Sequence, residues 1–489
     1  MQLRRNSTLN LVGQSVPLLA AVVAIPTIVY NLGESRFGAV TLVWSMAAYL
    51  GVFDLGIGRA LTTRLAENLR LAGGGREKLI TLSGLGILGM SGIAFSLLLY
   101  WIAPAISAWV AADDALLHSD LVRSFRLFAI SLPALLLGLG GRGMLEAHRA
   151  FGWINAIRLP SGVLLYLLSA HVSQTHPTAA SVIAVLAAVR SAESLLLLAV
   201  GWRFVSSSAG SESRVTLHRV VHASKDLLSF GSWITVSGIV TPIIQLLDRW
   251  ILGYSAGAAM VAYYATPLDI LSRVWILPTA IMGAAYPDLV GALSGRSPRE
   301  VSEIIKVAYR LIVSGVTMVL LPATLFGGLA LSWWLNPEFS SVAGPVLPLM
   351  AGGLLVNSLA RIPVGLLHGM GRPKAVALLH AVELPITLAF LIVLIPQYGL
   401  SGAALVWLGR MWADYLGLMW LASRALPRLR SDLLVQAGVT STAVILILIA
   451  GWGGTALMLL ASLGLVVLVG AVLVHRTNSP RQDAYVHRG

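Results

Sequence analysis

The chain has 489 residues, of which 57% are hydrophobic and only 11% charged, with a formal net charge of +13 and no cysteine. A soluble domain carries roughly 25% charged residues, so this composition describes an integral membrane protein. The missing cysteines exclude disulfides, thiolate metal sites and thiol catalysis, and the basic excess sits in short loops rather than in a nucleic-acid-binding stripe.

Apolar segments long enough to cross a ~30 Å hydrocarbon core, about 20 residues each, recur from end to end. Fourteen are predicted, at 9–31, 36–58, 79–103, 121–144, 150–172, 177–200, 228–252, 258–284, 306–332, 341–366, 375–395, 400–422, 433–452 and 454–475. A signal-peptide or twin-arginine reading of Arg4-Arg5 is set aside. The apolar run that follows is too long for an h-region and lacks a small-residue cleavage site.

The longest hydrophilic stretch, 203–227, begins rich in Ser and Gly and turns basic. It reads as a flexible linker followed by a helix on the cytoplasmic leaflet, or equally as a solvated connector. It separates an N-terminal six-helix lobe (1–202) from a second lobe (228–423), with two more helices and a tail at 424–489. LGESRFGAVTLVW (32–44) and LGYSAGAAMVAYYATPL (252–268) form a weak internal repeat, as in two-lobed transporters. The predicted fold is an all-α polytopic membrane protein of two related six-helix lobes plus two C-terminal helices.

Arginine distribution sets the expected topology. Alternate loops hold Arg59, Arg64, Arg70, Arg76 and Lys78, then Arg142 and Arg149, then Arg203 to Lys225, and so on to Arg476, Arg481 and Arg488. The opposite loops are nearly free of base, so both termini and the linker are predicted cytoplasmic. Asp113-Asp114, in one of those opposite loops, reads as loop solvation.

Charges within the spans are informative, because each costs roughly 2.5–3.5 kcal/mol at the bilayer centre even on the mildest scale. LLDRWILG places Asp248 and Arg249 about a turn from one membrane face. The next span carries Asp269 and Arg273 at i,i+4, on one face of a helix. Further along or before them lie Asp54, Arg158, Arg190 with Glu193, Arg310, Arg361, Glu383, and Arg410 with Asp414. Any of these pairs can instead be a neutral clamp, since desolvation offsets the Coulomb gain. Asp54 is equally a partner for Arg59, and Arg310 and Arg361 can snorkel to headgroups. Glu383, with His380 nearby, is assigned to ion coupling by proton or sodium, together with Asp414, Glu193 and Asp54. No residue is assigned to catalysis, a metal or a cofactor.

Two stretches carry a family resemblance: GESRFGAVTLVWSMAAYLGVFDLGIGRALTTRLAE (33–67) and FGSWITVSGIVTPIIQLLDRWILGYSAGAAMVAYYATPLDIL (230–271), continuing to AAYPDL at 284–289. The Gly-x-x-x-Phe-Gly turn, the Asp-Leu-Gly-x-Gly run (Asp54 to Gly58) and the Asp248-Arg249 ending resemble the lipid-linked oligosaccharide flippases of polysaccharide biosynthesis. These belong to the multidrug/oligosaccharidyl-lipid/polysaccharide exporter superfamily. The resemblance implies an inner-membrane protein with a cationic cavity, not an enzyme. It would act as a monomer beside the polysaccharide polymerase and move a polyprenyl-pyrophosphate-linked oligosaccharide to the outer leaflet. Related peptidoglycan-precursor flippases place arginines in the first helix; here that helix is uncharged, which favours the polysaccharide branch.

On this reading Arg273, Arg158, Asp269, Arg249, Asp248, Arg410 and Arg190 contact the substrate. Arg158 stands apart: IRLPSG offers no acid within a turn, Pro160 loosens the backbone, and a pyrophosphate suits its planar fork. Tyr263, Tyr264 and Trp275 are the aromatic alternative for sugar stacking. The competing functions are a small-molecule exporter on the same fold, and a polymerase or glycosyltransferase for lipid-linked sugars. The exporter would favour acids over arginines; the enzyme would need a broad outer loop that the chain lacks. No P-loop motif is present.

Overall fold

The computed structural model describes residues 2–48, 50, 53–54, 56–70, 76–111, 114–208, 216–295, 297–453, 457, 460–465 and 467–468. Asp113, residues 209–215 of the linker, much of the last predicted span and the basic tail lie outside the described residues. The helices are α1 (Gln2–Ala48), α2 (Ile57–Arg70), α3 (Glu77–Val110), α4 (Ala115–Ala147), α5 (Phe151–Thr175), α6 (Ala179–Ser208) and α7 (Leu217–Ala256). They continue with α8 (Ala258–Leu271), α9 (Ile276–Ser294), α10 (Pro298–Trp334), α11 (Pro337–Ala343), α12 (Leu347–Gly369), α13 (Pro373–Ala425) and α14 (Arg430–Trp452). No strand occurs among the described residues. Ten helical stretches are long and apolar enough to cross a bilayer, so the chain is a multi-pass membrane protein.

Predicted spans and helices differ mainly where glycine breaks replace loops. The first two spans lie along α1, which breaks at Gly33 (φ 72, ψ 163); the spans at 375–395 and 400–422 lie along α13, which breaks at Gly399 (φ 54, ψ −127). Only glycine reaches such positive φ without steric cost. Gly257, between α7 and α8, has φ 87 and ψ 166, close to Gly33. The two arms of the sequence repeat therefore turn in the same backbone conformation. The second turn falls on Gly257, not on Gly253 as the aligned Leu-Gly suggests.

The basic half of the linker is helical but not separate. It forms the start of the 40-residue α7, which continues into the seventh span.

The second predicted span ends early for a physical reason. Asp54 lies in a turn with both carboxylate oxygens engaged: Gly56 N–H donates to Oδ1 at 2.8 Å and Gly58 N–H to Oδ2 at 3.3 Å. These donors precede or open α2, so the Asp-Leu-Gly-x-Gly run is a helix-start turn that satisfies otherwise orphaned N–H groups. Gly56, at φ 69, supplies its left-handed step.

Backbone contacts divide the chain into Met1–Ala265 and Thr266–Gly489. In the first unit α4 packs against α3 and α6, and α1 against α5. The α4–α6 approach depends on the glycine-rich LGLGGRG of 137–143: a Cβ on Gly138 would sit inside Ser194, and one on Gly141 would meet the Leu197–Leu198 backbone. Small residues bring helices together where apolar lipid gives no hydrophobic drive. In the second unit α12 is the buried axis, packed against α10, α13 and α14. Tyr309 ties α10 to α14 by donating to the Gln436 carbonyl at 2.9 Å.

Candidate functional site: charges within the membrane helices

Asp248 and Arg249 are buried in the first unit at 5% and 6% exposure. Asp248 Oδ1 accepts the Arg249 N–H at 2.8 Å, and Tyr264 O–H donates to Oδ2 at 2.7 Å. The Arg249 guanidinium donates to Ser45 Oγ on α1. This is a polar knot joining α1, α7 and α8. Tyr263 and Tyr264 are buried with it, which removes them from the sugar-stacking alternative.

Glu193 organises a second cluster. Its carboxylate is 8% exposed and meets Arg190 Nη1 at 2.7 Å and Arg158 Nε at 3.8 Å. The acid that Arg158 lacks within its own helix thus comes from α6. Arg142, one turn from the end of α4, pairs with Glu146 at 2.6 Å and lies within electrostatic range of Arg158. The short α4–α6 distance allowed by Gly138 and Gly141 brings these charges together. Three arginines against two acids leave one net positive charge, and the arginine side chains are 35–46% exposed. Arg142, a loop arginine by sequence, instead lies within α4, and its i,i+4 spacing to Glu146 is the sequence signal for the pair.

Asp269 and Arg273 belong to the second unit, and both are exposed. They do not share one regular helix. The α-helix ends at Leu271, and Ser272–Trp275 is a 3-10 turn containing Arg273, lying between Pro267 and Pro278. Arg273 has no ion pair or hydrogen bond among the described residues, so the expected i,i+4 clasp with Asp269 is not formed. Arg361, within buried α12, is likewise without an ion pair among the described residues, and its Nε is buried and unsatisfied. The sequence marks Arg361 as a charge within a span that can snorkel to headgroups, but nothing local marks α12 as the buried axis.

The other charges of the second unit gather across the Gly399 break. His380 Nε2 lies 3.1 Å from Asp414 Oδ1, and His380, Glu383 and Asp414 present ligand atoms within 4.8 Å of one another. Arg410 is within electrostatic range of Glu383 and His380. Of the four carboxylates expected at an ion-coupling site, Glu383 and Asp414 are brought together. Glu193 is occupied by arginines, and Asp54 by backbone N–H groups.

A cavity of about 640 Å³ opens in the first unit between α2, α3 and the start of α7, lined by Arg64, Arg76, His218, Arg219 and His222 among others.

The arrangement resembles known proteins throughout its length. A Shigella flexneri protein described as "Putative O-antigen transporter" is 28% identical over 432 residues, covering 87% of this chain and 98% of that protein. The lipid II flippase MurJ, in an inward closed conformation, superposes with a TM-score of 0.69 at 12% identity, covering 96% of this chain and 99% of that one. An inward-facing multidrug resistance transporter of the MATE family, in the MOP superfamily, gives a TM-score of 0.65 at 14% identity over 86% of this chain. At such identities the two structures establish the shared fold. The sequence pattern of the polysaccharide biosynthesis protein family matches residues 3–291, more than half of the chain, and the chain belongs to that family.

Proposed function

We propose that this protein is a flippase that moves a polyprenyl-pyrophosphate-linked oligosaccharide from the inner to the outer leaflet of the bacterial inner membrane by alternating access. Both termini and the 203–227 linker are cytoplasmic on this reading, and the protein works without covalent chemistry on the sugar. Family membership and the Shigella relative support the substrate class. The observation that carries the mechanism is Arg273, a cation in the 3-10 turn within the apolar stretch Ala258–Ser294, exposed and without an ion pair among the described residues. A pyrophosphate leaving water needs such fixed cations, because a preorganised guanidinium fork offsets part of its desolvation and binds oxygens in pairs. The Arg142, Arg158 and Arg190 group supplies positive charge in the first unit, and Arg361 joins Arg273 in the second.

The arginines also argue against a multidrug-type exporter of organic cations, which would require an acidic path. Translocation in vesicles decides between them. Purified protein in liposomes should expose a labelled polyprenyl-pyrophosphate oligosaccharide from the inner leaflet to an outside hydrolase, while leaving a cationic dye in place. Dye movement without lipid movement would overturn the proposal.

A further inference from the structure

We propose that His380, Glu383 and Asp414 form a binding site for a divalent first-row transition-metal ion of the zinc type. One imidazole nitrogen and two carboxylates lie within 4.8 Å of one another. His380 and Glu383 stand three residues apart on the first half of α13, hence on one face, and Asp414 comes from the second half beyond Gly399. Independent support comes from Glu383. It is only 6% exposed, yet neither carboxylate oxygen has a hydrogen-bond partner. A buried carboxylate left without donors is costly, and a cation bound between it and its two neighbours removes that cost. Arg410 is close enough to act electrostatically but does not hydrogen-bond Glu383.

Ligand chemistry selects the ion. Sodium, magnesium and calcium favour all-oxygen shells, whereas an imidazole nitrogen beside carboxylates suits zinc, nickel or copper. Donor atoms around a tetrahedral zinc ion lie roughly 3.3 Å apart, given bond lengths near 2 Å. Binding therefore needs side-chain adjustments of about 1 Å and leaves a fourth position for water. With His380 neutral, two carboxylates and Arg410 leave one formal negative charge for the ion. The bound metal would fasten the two halves of α13 to each other across the Gly399 break and hinder their relative movement.

The test uses the full chain, purified in detergent, freed of any tag and stripped of metal. Titration calorimetry with Zn²⁺ should show one tight equivalent. Losing an outer-shell partner of a metal ligand weakens binding 10–100-fold, so Glu383→Gln and Asp414→Asn, which remove ligands outright, should raise Kd by about 100-fold or more. The exposed Glu303→Gln should bind as the wild type does. If Glu383→Gln fails to fold, His380→Gln, whose side chain is less deeply buried than Glu383, serves with the same expectation. Zn²⁺ binding unchanged by these substitutions would mark an adventitious ion at other histidines. Stabilisation by Na⁺ with no Zn²⁺ binding would assign the site to an alkali cation. Either result overturns the proposal.

Discussion

Tyr264 donates its hydroxyl to Asp248 Oδ2 across 2.7 Å, and both side chains are buried. The tyrosine sits at the start of the eighth predicted span and the aspartate near the end of the seventh, so the bond fixes the geometry of the Gly257 turn between them. Arg249 extends the same network to Ser45. The knot is thereby a structural joint of the first unit.

Removing its donor should destabilise the protein more than it impairs transport. Tyr264→Phe leaves one oxygen of a buried carboxylate without its donor, a loss of roughly 1–3 kcal/mol. The apparent melting temperature in detergent should fall, while translocation at low temperature persists. A variant that melts like the wild type would show that water replaces the hydroxyl.

The Asp54 turn makes a similar claim about the Asp-Leu-Gly-x-Gly run. Asp54→Ala should cost about 0.5–2 kcal/mol through loss of the helix-start acceptor. Gly56→Ala should cost roughly 1 kcal/mol or more through its left-handed φ. Asp54→Asn keeps an acceptor and should lie between Asp54→Ala and the wild type. Thermal unfolding of the three variants gives the order; an Asn variant as weak as Ala would mean the negative charge matters more than the cap.

Glu193 should couple unequally to its two arginines. Double-mutant cycles with Glu193→Gln should give a clear coupling for Arg190, at 2.7 Å. For Arg158, at 3.8 Å and 46% exposed, the coupling should stay below ~1 kcal/mol because water screens the pair. Arg158 is then available to an anionic ligand at small energetic loss. Equal couplings would make it part of a structural clamp.

Topology is testable because the chain has no cysteine. A single cysteine at Ala115 should react with an impermeant maleimide on intact cells, whereas one at Ser207 should react only after permeabilisation. The reverse pattern would invert the loop-by-loop arginine reading.

Composition and periodicity made the fold legible, since each predicted span is a run of apolar residues and helices need only local information. The Leu-Gly turn at 32–33 marks the break at Gly33, and the short gap between the spans ending at 395 and starting at 400 brackets the one at Gly399, though the helices carry on directly either side of both. Charges within spans were equally visible, but their partners were not. Arg158 finds Glu193 on another helix, His380 finds Asp414 34 positions away, and Tyr264 finds Asp248 over a turn. Such pairings depend on which helix faces pack together, and no local spacing encodes that. Arg273 is the opposite case: its i,i+4 spacing from Asp269 predicts a shared helical face, but Pro267 and Pro278 flank a 3-10 turn there. The two prolines are the sequence signal for that turn.

The role of Arg273 gives the most direct test of the flippase reading. In cells whose surface polysaccharide depends on this protein, Arg273→Ala should abolish export at wild-type membrane abundance. Arg273→Lys should restore it only in part, because an ammonium cannot make the paired contact. Lipid-linked oligosaccharide should accumulate on the cytoplasmic side in the alanine variant. Normal polysaccharide in Arg273→Ala cells, at equal expression, would contradict a substrate-binding role for this residue and with it the proposed pathway.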